Sequence, residues 1–363
     1  MLWIEAFWFA AGLTALVFGA NALVRGASKL ALSLGLSPLV VGLTIVAFGT
    51  SAPEMAVSTG AVLDGKGDIA VGNVVGSNIF NVLFILGASA LIVPLLVHVQ
   101  LIRQEIPVML GASLLLLALG LDGSIAVWEG AFLLTLLLAY TAFLVIQSRK
   151  QNAREAVEFD AEIQTARPGA WDARWMVQLG LILTGFALLV VGSDWLVGSA
   201  VAFAKAIGVS DLVIGLTIVA AGTSMPEVAT SLTAAIKGER DIAVGNVVGS
   251  NTFNILGVVG LSGLVSGANG LLLAPSVMNF DIWVMLAVTL ACLPVFLSGR
   301  EIARWEGAVF LAYYVAYVAY LVLAAQRHAA LGPFSASMLG FAVPLTIVTF
   351  VVIWLNHQRT RNQ

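Results

Sequence analysis

Residues 42–60 (GLTIVAFGTSAPEMAVSTG) and 215–233 (GLTIVAAGTSMPEVATSLT) agree at thirteen of nineteen positions. Residues 68–87 (DIAVGNVVGSNIFNVLFILG) and 241–260 (DIAVGNVVGSNTFNILGVVG) agree at fifteen of twenty, and both pairs are 173 residues apart. A shared offset means that one larger unit was duplicated. A third echo, WEGAFLLTLLLAYTAFLV from Trp128 and WEGAVFLAYYVAYVAYLV from Trp305, lies further along each copy.

The duplicated unit is written for lipid. Charged residues are 10% of the chain, hydrophobic residues 60%, and the mean hydropathy is +1.00. A soluble domain carries about 25% charged residues, because its surface faces water. A net charge of −3 argues against a nucleic-acid partner. The single cysteine, Cys292, permits no intramolecular disulfide. Apolar runs long enough to cross a bilayer, roughly 20 residues each, lie near 3–24, 36–62, 69–97, 106–121, 125–147, 176–203, 209–236, 242–268, 281–298, 303–325 and 336–355. The first is too long for a signal-peptide core and its basic residues follow it, so it is expected to remain as a membrane helix.

Five crossings per copy is an odd number, so the second copy enters the membrane from the opposite side. The expected fold is therefore an all-α polytopic membrane protein with two inverted five-helix repeats (5+5) and one extra C-terminal transmembrane helix. The boundaries predicted are 1–147 for the first repeat, 148–175 for a cytoplasmic linker, 176–325 for the second repeat, and 326–363 for the extra helix and tail. With the N-terminus outside, 14 of the 17 Lys and Arg residues fall on the cytoplasmic side. Only Lys66, Lys205 and Arg327 lie outside, the asymmetry that the positive-inside rule requires. Inverted repeats related by an axis in the membrane plane mark transporters, with the substrate near the midplane between them.

Polar residues concentrate in the duplicated segments. Thr50, Ser51 and Glu54 share one helix with Pro53, and Ser77 and Asn81 stand one turn apart on the next. Thr223, Ser224, Glu227, Ser250 and Asn254 repeat the pattern. A glutamate at the centre of a membrane helix costs on the order of 2–3 kcal/mol, so it marks a partner or a pathway. No Lys, Arg or His lies mid-membrane to pair with Glu54 or Glu227, which leaves a cation. Pro53 and Pro226 lack N–H groups, so the carbonyls of Gly49 and Gly222 lose their helical partners and are expected to face the cavity. Carboxylates, hydroxyls, amide oxygens and carbonyls form a hard-cation set, suited to calcium, sodium or magnesium rather than zinc or copper. Glu129 and Glu306 are expected at helix ends.

The pairs GTSAPE (Gly49–Glu54) and GTSMPE (Gly222–Glu227), each followed by GNVVGSN-x-FN, resemble the alpha-repeats of the cation/calcium antiporter superfamily, most of all its prokaryotic sodium/calcium exchangers. The resemblance covers helices one to ten. It implies alternating-access exchange of calcium for three sodium ions at a midplane site, in which Glu54 and Glu227 ligate calcium. It further implies oxygen ligands from Thr50, Ser51, Ser77, Asn81, Thr223, Ser224, Ser250 and Asn254, and main-chain carbonyls from Ala47 and Ala220. The first helix of each half would slide against the rest. Potassium-dependent relatives carry Asp where Asn254 stands, and the cytosolic calcium-sensing insert of animal exchangers is missing. No cofactor is expected; the partners are calcium, sodium and the bilayer, and the location a prokaryotic cell membrane.

The alternative is a proton-coupled antiporter for calcium or another divalent cation. The paired Thr-Ser hydroxyls before each glutamate favour sodium. An intramembrane protease would need a base beside Ser51, yet His98, His328 and His357 fall in or beside loops, and Asp68 and Asp241 begin helices. An enzyme is therefore excluded. A passive channel fits poorly with paired carboxylates that would hold a divalent ion tightly.

Overall fold

The computed structural model describes residues 2–158, 172, 174–207, 218, 220–297 and 299–349. Most of the expected 148–175 linker, the start of the 209–236 run, and the tail with Arg359 and Arg361 lie outside the described residues. Nine helices among those described are long and apolar enough to cross a membrane, or ten if one bent pair is a single span. In chain order they are α1 (Trp3–Leu34), the bent pair α2 (Pro38–Thr50) and α3 (Ala52–Leu63), α4 (Ile69–Ile92), α5 (Leu101–Asp122) and α6 (Val127–Lys150). The second copy supplies α7 (Trp175–Ala206), α8 (Met225–Ile236), α9 (Arg240–Val265), α10 (Val277–Leu297) and α11 (Arg304–Ala325), followed by α12 (Leu331–Thr349). Alone, α8 is too short to span, and its upstream partner is the helical turn Ala220–Gly222.

Two features make the inversion physical. The first is a pair of two-residue ladders between the copies. β1 (Leu95–Leu96), after α4, pairs antiparallel with β4 (Glu301–Ile302), before α11. β2 (Ser124–Ile125), before α6, pairs with β3 (Leu271–Leu272), after α9. Each ladder joins the third-to-fourth helix connection of one copy to the fourth-to-fifth connection of the other. Those connections share a membrane face only if one copy is upside down.

The second feature is the α1–α7 seam. Gly12, Gly19 and Gly26 recur every seven residues, and each faces the main chain of α7 in reverse order. An added Cβ would stand 2.7 Å from Gly192 O at Gly12, 2.9 Å from Gly185 O at Gly19, and 2.9 Å from Gln178 O at Gly26. Small residues let membrane helices approach to backbone contact where lipid offers no hydrophobic drive. Arg25 closes the end of the seam, its guanidinium 2.8 Å from Asp172 Oδ2. That hydrogen bond, aided by the nearby positive charges, holds the Asp172 carboxyl below its usual range. A depressed carboxyl stabilises the fold fully above its unfolded pKa, and the contribution is lost as pH falls through the lower folded value. Arg25 is half exposed, so salt screens the pair. Asp172→Asn should therefore lower the melting temperature slightly at neutral pH and low salt, with the difference from wild type vanishing in acid. A gap that persists in acid would mean the aspartate acts through something other than its charge.

Burial orders the bundle. α9 is wholly enclosed in its most apolar stretch and α4 largely so, whereas α11 is mostly half-buried, with Glu306, Gly307 and Phe310 enclosed, and α12 has no buried residue. Trp3, Phe7, Phe18, Leu138 and Leu339 are exposed, as lipid-facing side chains must be. The α2–α3 pair bends by 43° at Ser51, whose ψ of 3° leaves the helix. Pro53 causes the break: it cannot donate, and it sits in the first turn of α3, where no donor is required. Ser224 and Pro226 repeat the arrangement at the start of α8.

The fourth helix of each copy begins earlier than the hydropathy of 106–121 and 281–298 suggests. π-helical turns, Leu101–Glu105 and Val277–Asp281, extend α5 and α10 at their N-termini. Arg103, which falls between the apolar runs 69–97 and 106–121, is therefore inside a helix, and Glu105 is fully buried. Its carboxylate accepts from Gln100 at 2.9 Å, Gln104 at 2.8 Å and the Tyr140 hydroxyl. In the second copy Asp281 accepts from Tyr317 at 2.8 Å. These duplicated carboxyl–tyrosine pairs tie the fourth helix of each copy to the fifth. Glu129 and Glu306 do sit at helix starts, but buried, each accepting a main-chain N–H from three residues back at 2.8 Å.

Candidate functional site

The breaks at Ser51 and Ser224 face each other at the centre of the bundle. Glu54 and Glu227 are both completely buried. Each accepts a hydrogen bond from the serine that precedes the other. Ser224 Oγ donates to Glu54 Oε1 at 2.8 Å, and Ser51 Oγ to Glu227 Oε1 at 3.3 Å. Ser77 joins the first set through Ser224, Oγ to Oγ at 3.2 Å, and Ser250 joins the second through Thr50 at 3.4 Å. Helices that are 173 residues apart in sequence thus bring both carboxylates and five hydroxyls into one interlocked cluster.

The threonines are held from the opposite copy as well. Thr50 Oγ1 donates to Asn246 Oδ1 at 3.1 Å, and Thr223 Oγ1 to Asn73 Oδ1 at 3.3 Å. Asn246 in turn donates to Ser231 at 3.0 Å, and Asn73 to Ser58 at 3.1 Å. Asn81 and Asn254 are fully buried, each on the face of its helix one turn beyond Ser77 or Ser250. Their amide nitrogens are engaged, at 3.0 Å, by Asn251 and Asn78. The asparagines at 73, 78, 246 and 251 were not singled out in the sequence. They stand in both copies of GNVVGSN, so their duplication was the available signal.

Four acceptor oxygens in this cluster are buried with no hydrogen-bond donor among the described residues: Glu54 Oε2, Glu227 Oε2, Asn81 Oδ1 and Asn254 Oδ1. They form two pairs related by the repeat. Each such atom costs about 1–3 kcal/mol if nothing satisfies it. Ser224, Ser51, Thr50 and Thr223 have given their hydroxyl protons to other acceptors and keep their lone pairs.

The expected main-chain oxygens fare differently. Gly222 O, released by Pro226, is not bare: Ser193 Oγ on α7 donates to it at 2.7 Å. The freed carbonyl is repaired by a side chain, the usual fate of such groups in a membrane. Gly49 lies against α7 instead, where an added Cβ would fall 1.7 Å from the Phe186 ring. Ala47 O accepts from Ser51 N at 3.0 Å, so one of its two lone pairs already serves the helix. Ala220 opens the turn Ala220–Gly222.

The chain is similar to known exchangers along most of its length. The family model described as "Sodium/calcium exchanger protein" matches residues 4–146 and 177–323, one stretch in each copy. The putative antiporter CaxA of Alkalimonas amylolytica is 40% identical over 316 residues, covering 84% of this chain and 95% of that one. The sodium/calcium exchanger MaX1 of Methanosarcina acetivorans is 32% identical over 339 residues, covering 85% and 96%. A solved structure of the sodium-calcium exchanger NCX_Mj, soaked with sodium and strontium, superposes with a TM-score of 0.73 at 32% identity, over 88% of this chain and 99% of that one. This chain is a membrane antiporter of the sodium/calcium exchanger family.

Proposed function

We propose that the protein exchanges sodium for calcium by alternating access, and that Glu54 and Glu227 carry the calcium. The observation behind this reading is the set of four donorless oxygens, two carboxylate and two amide. A hard cation satisfies several such oxygens at once and balances two charges that no Lys, Arg or His among the described residues accompanies. Thr50, Ser51, Ser77, Thr223, Ser224 and Ser250 would add hydroxyl oxygens, and Asn81 and Asn254 amide oxygens. Ala47 and Ala220 would add carbonyl oxygens. Two carboxylates neutralise one calcium, and three sodium ions would leave one excess positive charge. Exchange should then be electrogenic, biased by about 2.3 kcal/mol per charge for each 100 mV. The basic-residue asymmetry favours an N-terminus outside the cell membrane and a cytoplasmic C-terminus.

The test is calcium flux in proteoliposomes. An outward sodium gradient should drive calcium uptake, a sodium ionophore should abolish it, and an imposed potassium-diffusion potential should alter its rate. Uptake driven by a proton gradient and indifferent to sodium would replace sodium with protons as the coupling ion.

A further inference from the structure

Asn78 and Asn251 lie beneath the cluster, 2% and 1% exposed, and belong neither to the ligand set above nor to the apolar core. Asn78 Nδ2 donates to the main-chain oxygen of Asn251 at 3.2 Å, and Asn251 Nδ2 to that of Asn78 at 3.2 Å. Asn78 Nδ2 also lies 3.6 Å from Met285 Sδ. Both carbonyls stand where the helices widen into π-turns, Asn81–Leu86 and Asn254–Val259. Such turns disturb the regular ladder and recur at functional sites.

A side-chain amide has a donor end and an acceptor end, and the surroundings decide which faces where. A main-chain oxygen admits only the donor end, so it fixes the orientation of Asn78 and of Asn251. The acceptor end of each then faces the next asparagine. Asn254 Nδ2 donates to Asn78 Oδ1 at 3.0 Å, and Asn81 Nδ2 to Asn251 Oδ1 at 3.0 Å. With their nitrogens engaged, Asn81 and Asn254 turn their oxygens the other way, and those are the two amide oxygens without donors. We propose that Asn78 and Asn251 are positioning residues that hold Asn254 and Asn81 oxygen-first towards the transported cation. The inference rests on the cation site proposed above. Each lock runs between the copies, so an amide from one repeat is set by the main chain of the other. Without the lock, a turned amide would present N–H groups where a cation needs oxygen.

The test is a double-mutant cycle, read as calcium affinity of the purified full-length protein by titration calorimetry. Asn251→Ala removes the acceptor that holds Asn81 Nδ2 and should weaken calcium binding by about tenfold, the scale of one misdirected buried polar group. Asn81→Asp carries oxygen at both ends, so its orientation no longer matters. In that background Asn251→Ala should cost less than about twofold, or improve binding by removing an oxygen that faces the carboxylate. Equal losses in both backgrounds, or no loss in the first, would overturn the inference, because simple packing is indifferent to the ends of residue 81. If Asn251→Ala does not fold, Asn78→Ala with Asn254→Asp repeats the cycle from the other copy. Glu54→Gln is titrated alongside. Retained calcium binding there would remove the cation site itself, whereas lost binding with equal costs in the cycle would remove only the orienting role.

Discussion

Glu54→Gln and Glu227→Gln should each reduce calcium exchange to background while leaving the protein folded. In Glu54→Gln, the amide oxygen can keep the hydrogen bond from Ser224 that Oε1 accepts. The NH2 group must then occupy the position of Oε2, which has no donor in the wild type. The variant loses one of two charges and turns two N–H bonds towards the cation. Removing a unit charge beside a divalent ion costs several kcal/mol even at an effective dielectric near 20, or at least about a hundredfold in affinity. A monovalent ion can still be held by the remaining carboxylate, so sodium binding should suffer less. Stability should move the other way. A buried carboxylate with no counter-ion is unfavourable, so in calcium-free buffer the variants should melt no lower than wild type, and calcium should no longer raise their melting temperature. Glu129→Gln is the control: its amide oxygen can still accept from Ala126 N, and the loss should stay near 1 kcal/mol or less. Undiminished calcium flux in Glu54→Gln or Glu227→Gln would remove that carboxylate from the site.

Gly130→Leu should be the most destabilising single change in the bundle outside the site. Gly130, in the first turn of α6, packs onto α9 so closely that an added Cβ would lie 2.6 Å from Leu264 N and 2.7 Å from Gly260 O. These are main-chain atoms, which cannot turn aside as a side chain can. The symmetry partner, Gly307 on α11, approaches Gly87 O at 2.6 Å by the same measure. Leucine at either position must push two helices apart, and inserting several methylenes into packed structure costs at least about 1–3 kcal/mol. Thermal unfolding in detergent should show Gly130→Leu and Gly307→Leu melting well below wild type, or failing to fold. Gly111→Leu, with no described atom within 4 Å of its Cβ position, should melt with the wild type. Wild-type melting in Gly130→Leu would mean that the copies do not meet along this seam.

What the sequence disclosed follows from what was duplicated. The common offset of GTS-x-PE and GNVVGSN, with an odd number of apolar runs, was enough to place Glu54 and Glu227 together. The serines, threonines and asparagines around them were legible for the same reason. Ser193 was not. Its partner is Gly222 O, and the corresponding position in the first copy, 173 residues earlier, is Ala20. An interaction without a twin leaves no repeat to find. Glu105 and Asp281 were hidden by the opposite effect: each interrupts an apolar run and so was taken to mark its edge. Burial with Tyr140 and Tyr317 appears only once helices four and five are packed. The asparagines at 78 and 251 were visible as duplicated letters, but their bonds to the opposite main chain depend on the close crossing of α4 and α9.

The central claim is that one cation lies between carboxylates from both repeats, and anomalous diffraction tests it most directly. Crystals of the wild-type protein soaked in strontium, a heavier substitute for calcium, should show a single strong peak among the buried oxygens. Allowing for the larger ion, its distances to Glu54 and Glu227 should be slightly longer than the 2.3–2.6 Å typical of calcium. The peak should vanish in Glu54→Gln and in Glu227→Gln. A strontium peak that touches only one of the two glutamates, or lies away from both, would contradict the account.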